Sequence, residues 1–229
     1  MTASSYGKAF ELWRAAAQDE WQRYAHHAFV QGLGDGSLPH EAFLHYLRQD
    51  YVFLIHFARA WALAAAKAET LEEMQAAAAT VHALVHIEMP LHVEVCAKEG
   101  ISRDELEATP ERKENLAYTR YVLEAGYSGD FLDLMAALAP CVLGYGEIGL
   151  RLAAEGAAET PYRNWIDTYA GEEFQSACRE VGALIDAALQ RRLGSNWEDL
   201  PRWRQLCGRF RTATELEEGF WAMGLSPDA

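Results

Sequence analysis

Five positions in this 229-residue chain put an ionisable or nucleophilic group where a helical repeat calls for an apolar one. Asp50 falls three residues after Leu47 and four before Leu54, and Glu217 lies likewise between Ala213 and Phe220. Cys141 stands between Leu138 and Tyr145, directly after Pro140, with Tyr145 one turn further along the same face. Tyr118 leads the stripe of its own segment, and Glu88 interrupts Leu84 and Leu91 with His92 one turn beyond. A charge or thiol so placed loses water and must be paired, neutralised or put to use. Two buried carboxylates and a thiol beside a proline, in a Tyr-rich bundle, could line one pocket.

Each of these residues also has a plainer reading. A lone Cys on a helical stripe is a small hydrophobe, which is how Cys96, Cys178 and Cys207 are read. Tyr and Trp on stripes belong to a core more often than to a cofactor box. Glu88 and His92, at i and i+4, read as a structural buried pair whose members satisfy each other.

Helices must do the positioning. Phe10, Trp13, Ala17, Trp21, Tyr24 and Ala28 share one face of a first helix that stops near Gly32, Gly34 and Gly36. Pro39 sits at a first helical position and opens a segment of about thirty residues, striped by Phe43, Leu47, Leu54, Ala58 and Trp61. Thr70 with Glu73 has capping-box spacing and begins a helix striped by Met74, Ala77, Val81, Leu84, Leu91 and Val95, which Gly100 ends. Ser102 with Glu105 repeats the box for a short turn, and Thr109-Pro110 starts a helix through Tyr118 and Val122. Asp130 caps the segment of Phe131, Leu134, Leu138, Tyr145, Ile148 and Leu152, where Pro140 removes a backbone hydrogen bond and should kink it. Thr160-Pro161 opens a helix through Trp165 and Tyr169, Phe174 to Ala188 forms another, and Ser195 with Glu198 caps the last, through Trp203, Phe210 and Phe220. Strand-like alternation is absent, so the expected fold is all-α, a single-domain bundle of about eight helices spanning residues 1–229.

Half the residues are apolar and 11% aromatic, so a large core is available. With 34 acidic against 20 basic residues the net charge is −14, a field that repels nucleic acid; Arg202, Arg204, Arg209 and Arg211 are diluted by acids. No stretch approaches 18 uninterrupted apolar residues, no leader-like segment opens the chain, and the four Cys form no Cys-x-x-Cys pair. Reduced thiols, no membrane partner and a cytoplasmic location are expected.

In order and spacing the chain resembles the TenA (thiaminase II) family. The carrying motifs are Gln49-Asp50-Tyr51-Val52-Phe53 with His56-Phe57-Ala58, Glu88-Met89-Pro90-Leu91-His92 and Ala117-Tyr118-Thr119. They continue with Leu138-Ala139-Pro140-Cys141 before Tyr145 and Glu147, Trp165-Ile166-Asp167-Thr168-Tyr169, and Glu217 ahead of Phe220-Trp221-Ala222-Met223. The resemblance implies a heme-oxygenase-like helical bundle, a homotetramer, and hydrolysis of 4-amino-2-methylpyrimidines at the exocyclic methylene, whether the leaving group is a simple amine or the thiazolium of thiamine. It also implies that Cys141 is the nucleophile, Glu217 the catalytic carboxyl, Asp50 the acid that grips the pyrimidine edge, and Tyr118, Tyr145 and Tyr169 pocket tyrosines. Phe53 stands where some members carry a pocket Tyr, which removes one hydroxyl. No metal or other cofactor is implied.

Three other readings remain at this point. A di-iron oxidase of the same bundle would use Glu88 and His92, but such centres draw ligands from several helices and residues 93–229 contain no His. A heme protein would need His26 or His27, which read better as surface residues. A non-enzymatic regulatory or binding protein would leave Cys141 inert.

Overall fold

A computed structural model describes residues 6–157 and 159–227, and among them the chain is all-α with no strand. The helices are α1 (Lys8–Ala16), α2 (Gln18–Ala25), α3 (Ala28–Asp35), α4 (His40–Lys67), α5 (Leu71–Ala83), α6 (Met89–Lys98), α7 (Arg103–Glu107), α8 (Lys113–Ser128), α9 (Phe131–Ala139), α10 (Tyr145–Glu155), α11 (Arg163–Ala170), α12 (Glu172–Leu193) and α13 (Pro201–Gly224). Two π turns, Leu84–Glu88 and Pro140–Gly144, join α5 to α6 and α9 to α10, and a 3-10 turn, Trp197–Asp199, precedes α13.

Several signals act where the sequence puts them. Thr70 accepts from the Glu73 amide at 3.2 Å, and Ser102 with Glu105 forms a complete capping box. Asp130 accepts from the amides of Leu132 and Asp133 while Asp133 accepts from the Asp130 amide, so α9 begins on a reciprocal cap. Gly36, with φ of 81°, ends α3 in the left-handed conformation that only glycine adopts freely.

Other expectations are corrected. The single first helix is three, broken at Ala17 and again at His26, and the second break is held by the His27 ring accepting from the Phe29 amide. Pro39 is the cap of α4 and not its first residue. Helix α8 begins at Lys113, three residues after Pro110, because Gln49 engages the intervening backbone: its amide donates to the Pro110 carbonyl at 3.0 Å and its oxygen accepts from the Arg112 amide at 3.1 Å. Ser195 caps nothing; Asn196 and the short 3-10 turn precede α13 instead. The stripe assigned to α5 and α6 is also largely outward, since Met74, Leu91 and Val95 are exposed and only Ala77 and Leu84 are buried.

The backbone divides into two compact units, Met1–Leu38 with Met135–Trp221, and Pro39–Leu134 with Ala222–Ala229. The first unit has an aromatic core in which Trp13 stacks on Trp203 and Phe210, and Trp21 packs on Phe10 and Tyr24. Asp186 of α12 accepts from the amides of Lys8 and Ala9 and so caps α1 from outside. In the second unit α4 is the central element, packed by α5 and α8. The stretch Phe131–Glu155 is apolar and long enough to cross a membrane, but 94% of its apolar window is buried in the fold, so that surface is already used.

Candidate active site

The first unit holds Cys141, Tyr145, Tyr169 and Glu217. Cys141 is buried inside the π turn that begins at Pro140. Proline has no N–H to give to the preceding turn, and here the chain answers with a wider turn. Tyr24 donates its hydroxyl to the Pro140 carbonyl at 3.1 Å, fixing the turn from α2. Gly144 permits that approach, because a Cβ there would stand 2.7 Å from the Tyr24 hydroxyl. The Cys141 thiol is 3.1 Å from the Leu138 carbonyl, which accepts its proton. Burial pushes the thiols of Cys96 and Cys178 up to about 12 and also raises that of the half-buried Cys207.

Four residues after Cys141, Tyr145 packs on Trp221 at 5.2 Å between ring centroids, and Trp221 is four residues after Glu217. Glu217 is only 1% exposed. One ring contact therefore ties the start of α10 to the end of α13. Helix α11 adds Trp165 and Tyr169, whose rings lie 4.4 Å apart and 5.9 and 5.1 Å from Tyr145. The residue types alone do not mark Trp165 and Trp221 as part of the site; the signal for them is their spacing, four residues from Tyr169 and from Glu217. Glu147, in the same motif as Cys141, is structural: it pairs with Arg14 and accepts from the Trp21 indole at 3.0 Å.

The second unit holds Asp50, Phe53 and Tyr118. Phe53 is stacked between Tyr118 and Phe57 at 5.4 and 5.6 Å, and a small hollow beside it is lined by Phe53, His56, Phe57, Thr119 and Val122. His56 lies between Arg59 at 3.2 Å and Arg120 at 3.1 Å, and burial, then the Arg120 charge, lower its proton affinity. Asp50 is pushed up to about 6 by burial, against the opposing pull of His92.

The partner of His92 is a correction to the sequence reading. His92 Nδ1 is 3.5 Å from Asp50 Oδ2 and Nε2 is 2.9 Å from the Leu47 carbonyl, whereas Glu88 is exposed. The π turn Leu84–Glu88 rotates α6 as a whole by about 100° relative to α5, and on α6 His92 reaches α4 while Glu88 is left exposed. Among the described residues no group of three or more His, Cys, Asp or Glu is placed to hold a metal ion, which leaves the di-iron reading without a ligand set there. His27, offered by the heme reading, is engaged as a helix cap.

Comparison with known proteins agrees with this architecture. Residues 14–226 match the family described as TENA/THI-4/PQQC. The chain belongs to that family. It is 36% identical over 223 residues to the aminopyrimidine aminohydrolase of Halalkalibacterium halodurans, covering 96% of this chain and 93% of that one. An uncharacterised protein of Haemophilus influenzae is 42% identical over 211 residues, covering 91% and 95%. Among solved structures, a protein of Silicibacter described as a TenA family transcription regulator is 64% identical with a TM-score of 0.96, covering 99% of this chain and all of that one. A TenA homologue from Pyrococcus horikoshii, 24% identical with a TM-score of 0.86 and covering 96% and 99%, shares the fold.

Proposed function

We propose that the whole chain acts as one catalytic domain, an aminopyrimidine aminohydrolase of thiamine salvage, which replaces the leaving group on the exocyclic methylene of a 4-amino-2-methylpyrimidine with hydroxyl. The observation that carries this reading is a buried thiol on a π turn and a buried carboxyl group in the same unit, Cys141 and Glu217, each four residues before one partner of the Tyr145–Trp221 ring contact. The names of relatives at 29–36% identity agree with it. The Cys141 S–H proton passes to solvent as its sulfur adds to a ring carbon, the displaced ring pair moves to a ring nitrogen that Glu217 protonates, and the proton shed by the water that later adds restores the thiol. The leaving group departs from the methylene with its bonding pair, as an amine or as the thiazole of thiamine. Water then adds at the methylene, the ring proton returns to Glu217, and the thiol is expelled. Tyr145 and Tyr169 with Trp165 offer faces for a flat ring, Asp50 accepts from the amino edge, and Phe53 and Tyr118 belong to the binding surface. A charge of −14 favours a cationic substrate. The same charge weighs against DNA contact, so the regulator reading is not adopted.

The chain works in the cytoplasm as a homotetramer. None of the four Cys is in a disulfide. Leu71, Met74, Val85, Ile87, Leu91 and Val95 are exposed apolar side chains on α5, the π turn and α6, with no Asp, Glu, Lys or Arg from Met74 to Ile87. They present on the order of 500 Å² of apolar side chain, enough for the centre of an interface of roughly 800 Å² per partner. In a chain this acidic, the stretch Met74–Ile87 without Asp, Glu, Lys or Arg is where a second copy can approach.

The test is product analysis with aminomethylpyrimidine and with thiamine. Wild type should release hydroxymethylpyrimidine, with the compact amine substrate preferred by kcat/KM, and Cys141→Ala should lose turnover while keeping the fold. Near-normal activity in Cys141→Ala would remove the nucleophile assignment.

A further inference from the structure

We infer that Asp50 and His92 hold a single proton between them, and that His92 is a positioning residue that makes Asp50 a proton donor to a ring nitrogen of the bound pyrimidine. The second half rests on the proposed function; the first stands on geometry alone. The Leu47 carbonyl, 2.9 Å from His92 Nε2, can only accept, so Nε2 carries a hydrogen. A neutral imidazole has one such hydrogen, which leaves the Nδ1 lone pair facing Asp50 Oδ2 at 3.5 Å. With an ionised Asp50 and a neutral His92, two acceptors would face each other with side chains only 12% and 10% exposed. One proton removes that repulsion, as a carboxylic acid donating to Nδ1 or as an imidazolium donating to the carboxylate.

The neighbours supply no substitute. Cys96 of α6 feels the Asp50 charge but stays a neutral thiol, pushed up to about 12. Arg48 of α4 acts on Cys96 and Glu105, and Tyr51 lays its ring 6.4 Å from that of His92. On the α8 side, Asn115 donates to the Gln49 carbonyl and brings no charge.

The shared proton matches the substrate's chemistry. A 4-aminopyrimidine presents an amino donor beside a ring-nitrogen acceptor, and a carboxylic acid is the complement of that pair: its carbonyl oxygen accepts from the amine and its hydroxyl donates to the ring. When the proton crosses, the ring-nitrogen lone pair becomes an N–H bond and the O–H electrons stay on Asp50 as carboxylate. The ring becomes a cation against an anion, and its carbons become better electrophiles. The proton returns when product leaves.

The experiment is ¹⁵N NMR of histidine-labelled full-length protein across pH, with Asp50→Asn as reference. The expected result is a His92 that keeps its Nε2 hydrogen throughout, and whose Nδ1 protonation midpoint falls by at least one pH unit in Asp50→Asn, because the new amide donates to Nδ1. An Nδ1–H tautomer, or a midpoint that does not move, would overturn the shared proton. The positioning role is read from kcat/KM against pH in His92→Gln, whose amide donates to Asp50 and stabilises the carboxylate. The limb that reports loss of the shared proton should move by at least one unit, whereas an unmoved limb with only lowered stability would overturn the role. Wild type with no aminopyrimidine turnover would defeat the proposed function and the donor role with it, while the NMR result would still decide the shared proton.

Discussion

Replacing Asp50 by Asn should change how the stability of this protein depends on pH. Burial moves the Asp50 carboxyl from 3.8 to about 6, so the folded state holds its proton more tightly than the unfolded chain does. A raised acid stabilises the fold fully below the unfolded value and loses that contribution as pH rises through the folded one. A folded midpoint about two pH units above the unfolded one corresponds to roughly 3 kcal/mol between the extremes. At pH 5 the folded carboxyl is one unit below its midpoint, so about 1.4 kcal/mol of this lies between pH 5 and pH 8. Asn has nearly the same volume, does not titrate, and can donate to His92 Nδ1. Urea unfolding of both proteins at pH 5, 6, 7 and 8 reads the contribution of Asp50 together with its partner His92, since titrating groups away from that pair enter both curves. The stability of Asp50→Asn relative to wild type should rise by about 1.4 kcal/mol across that interval. Parallel curves would show that the Asp50 proton affinity is the same folded and unfolded, and the desolvation argument would be wrong.

Glu217→Gln keeps the hydrogen bonding of a buried side chain but cannot cycle a proton, so kcat on an aminopyrimidine should fall on the order of 100-fold or more with KM little changed; an equal loss in KM would recast Glu217 as a binding group. Val85→Glu with Leu91→Glu places charge among the exposed apolar side chains of the π turn and α6, and light scattering should show a complex smaller than wild type, whereas a wild-type particle of 25.6 kDa would remove the self-association reading. Tyr24→Phe deletes the donor to the Pro140 carbonyl and should cost about 1 kcal/mol in urea unfolding, with kcat reduced because the turn that carries Cys141 loses its tether; unchanged kcat would show the turn to be held without it.

The parts of the fold that could be read from sequence are those whose cause is local. Thr70, Ser102 and Asp130 cap helices because a side chain reaches an amide two or three residues away, and the buried stripes of α9, α10 and α13 recur at the helical period. The delayed start of α8 was not legible, since it depends on Gln49, more than sixty residues earlier, holding the backbone at Pro110 and Arg112. The breaks at Ala17 and His26 have no Gly or Pro to announce them, and the apolar stripe runs through both. On α5 and α6 the stripe is genuine but faces outward, because apolar periodicity marks a surface that needs covering and does not say what covers it. Among the candidate residues, burial of Asp50, Cys141, Tyr145 and Glu217 followed from their stripes, while the partner of His92 did not.

Both π turns bear on this difference. An unbroken α repeat of 100° per residue would set α6 at a different rotation to α5 and put Cys141 in an ordinary core position. The chain leaves that repeat at Leu84–Glu88 and at Pro140–Gly144: the first turn is followed within four residues by His92, and the second contains Cys141. A π turn is less favourable than the α turn it replaces, so each must be held by its surroundings. At Pro140 the missing N–H removes the α alternative, the Tyr24 hydroxyl occupies the carbonyl, and Gly144 leaves room for that ring. The packing that holds the turn therefore also sets the direction of the thiol. After the first turn the same logic applies to a titratable ring, because the added residue turns His92 onto Asp50 and the Leu47 carbonyl of α4. The two departures from helical regularity thus account for the orientation of a nucleophile and of a proton partner, which the residue types alone leave open.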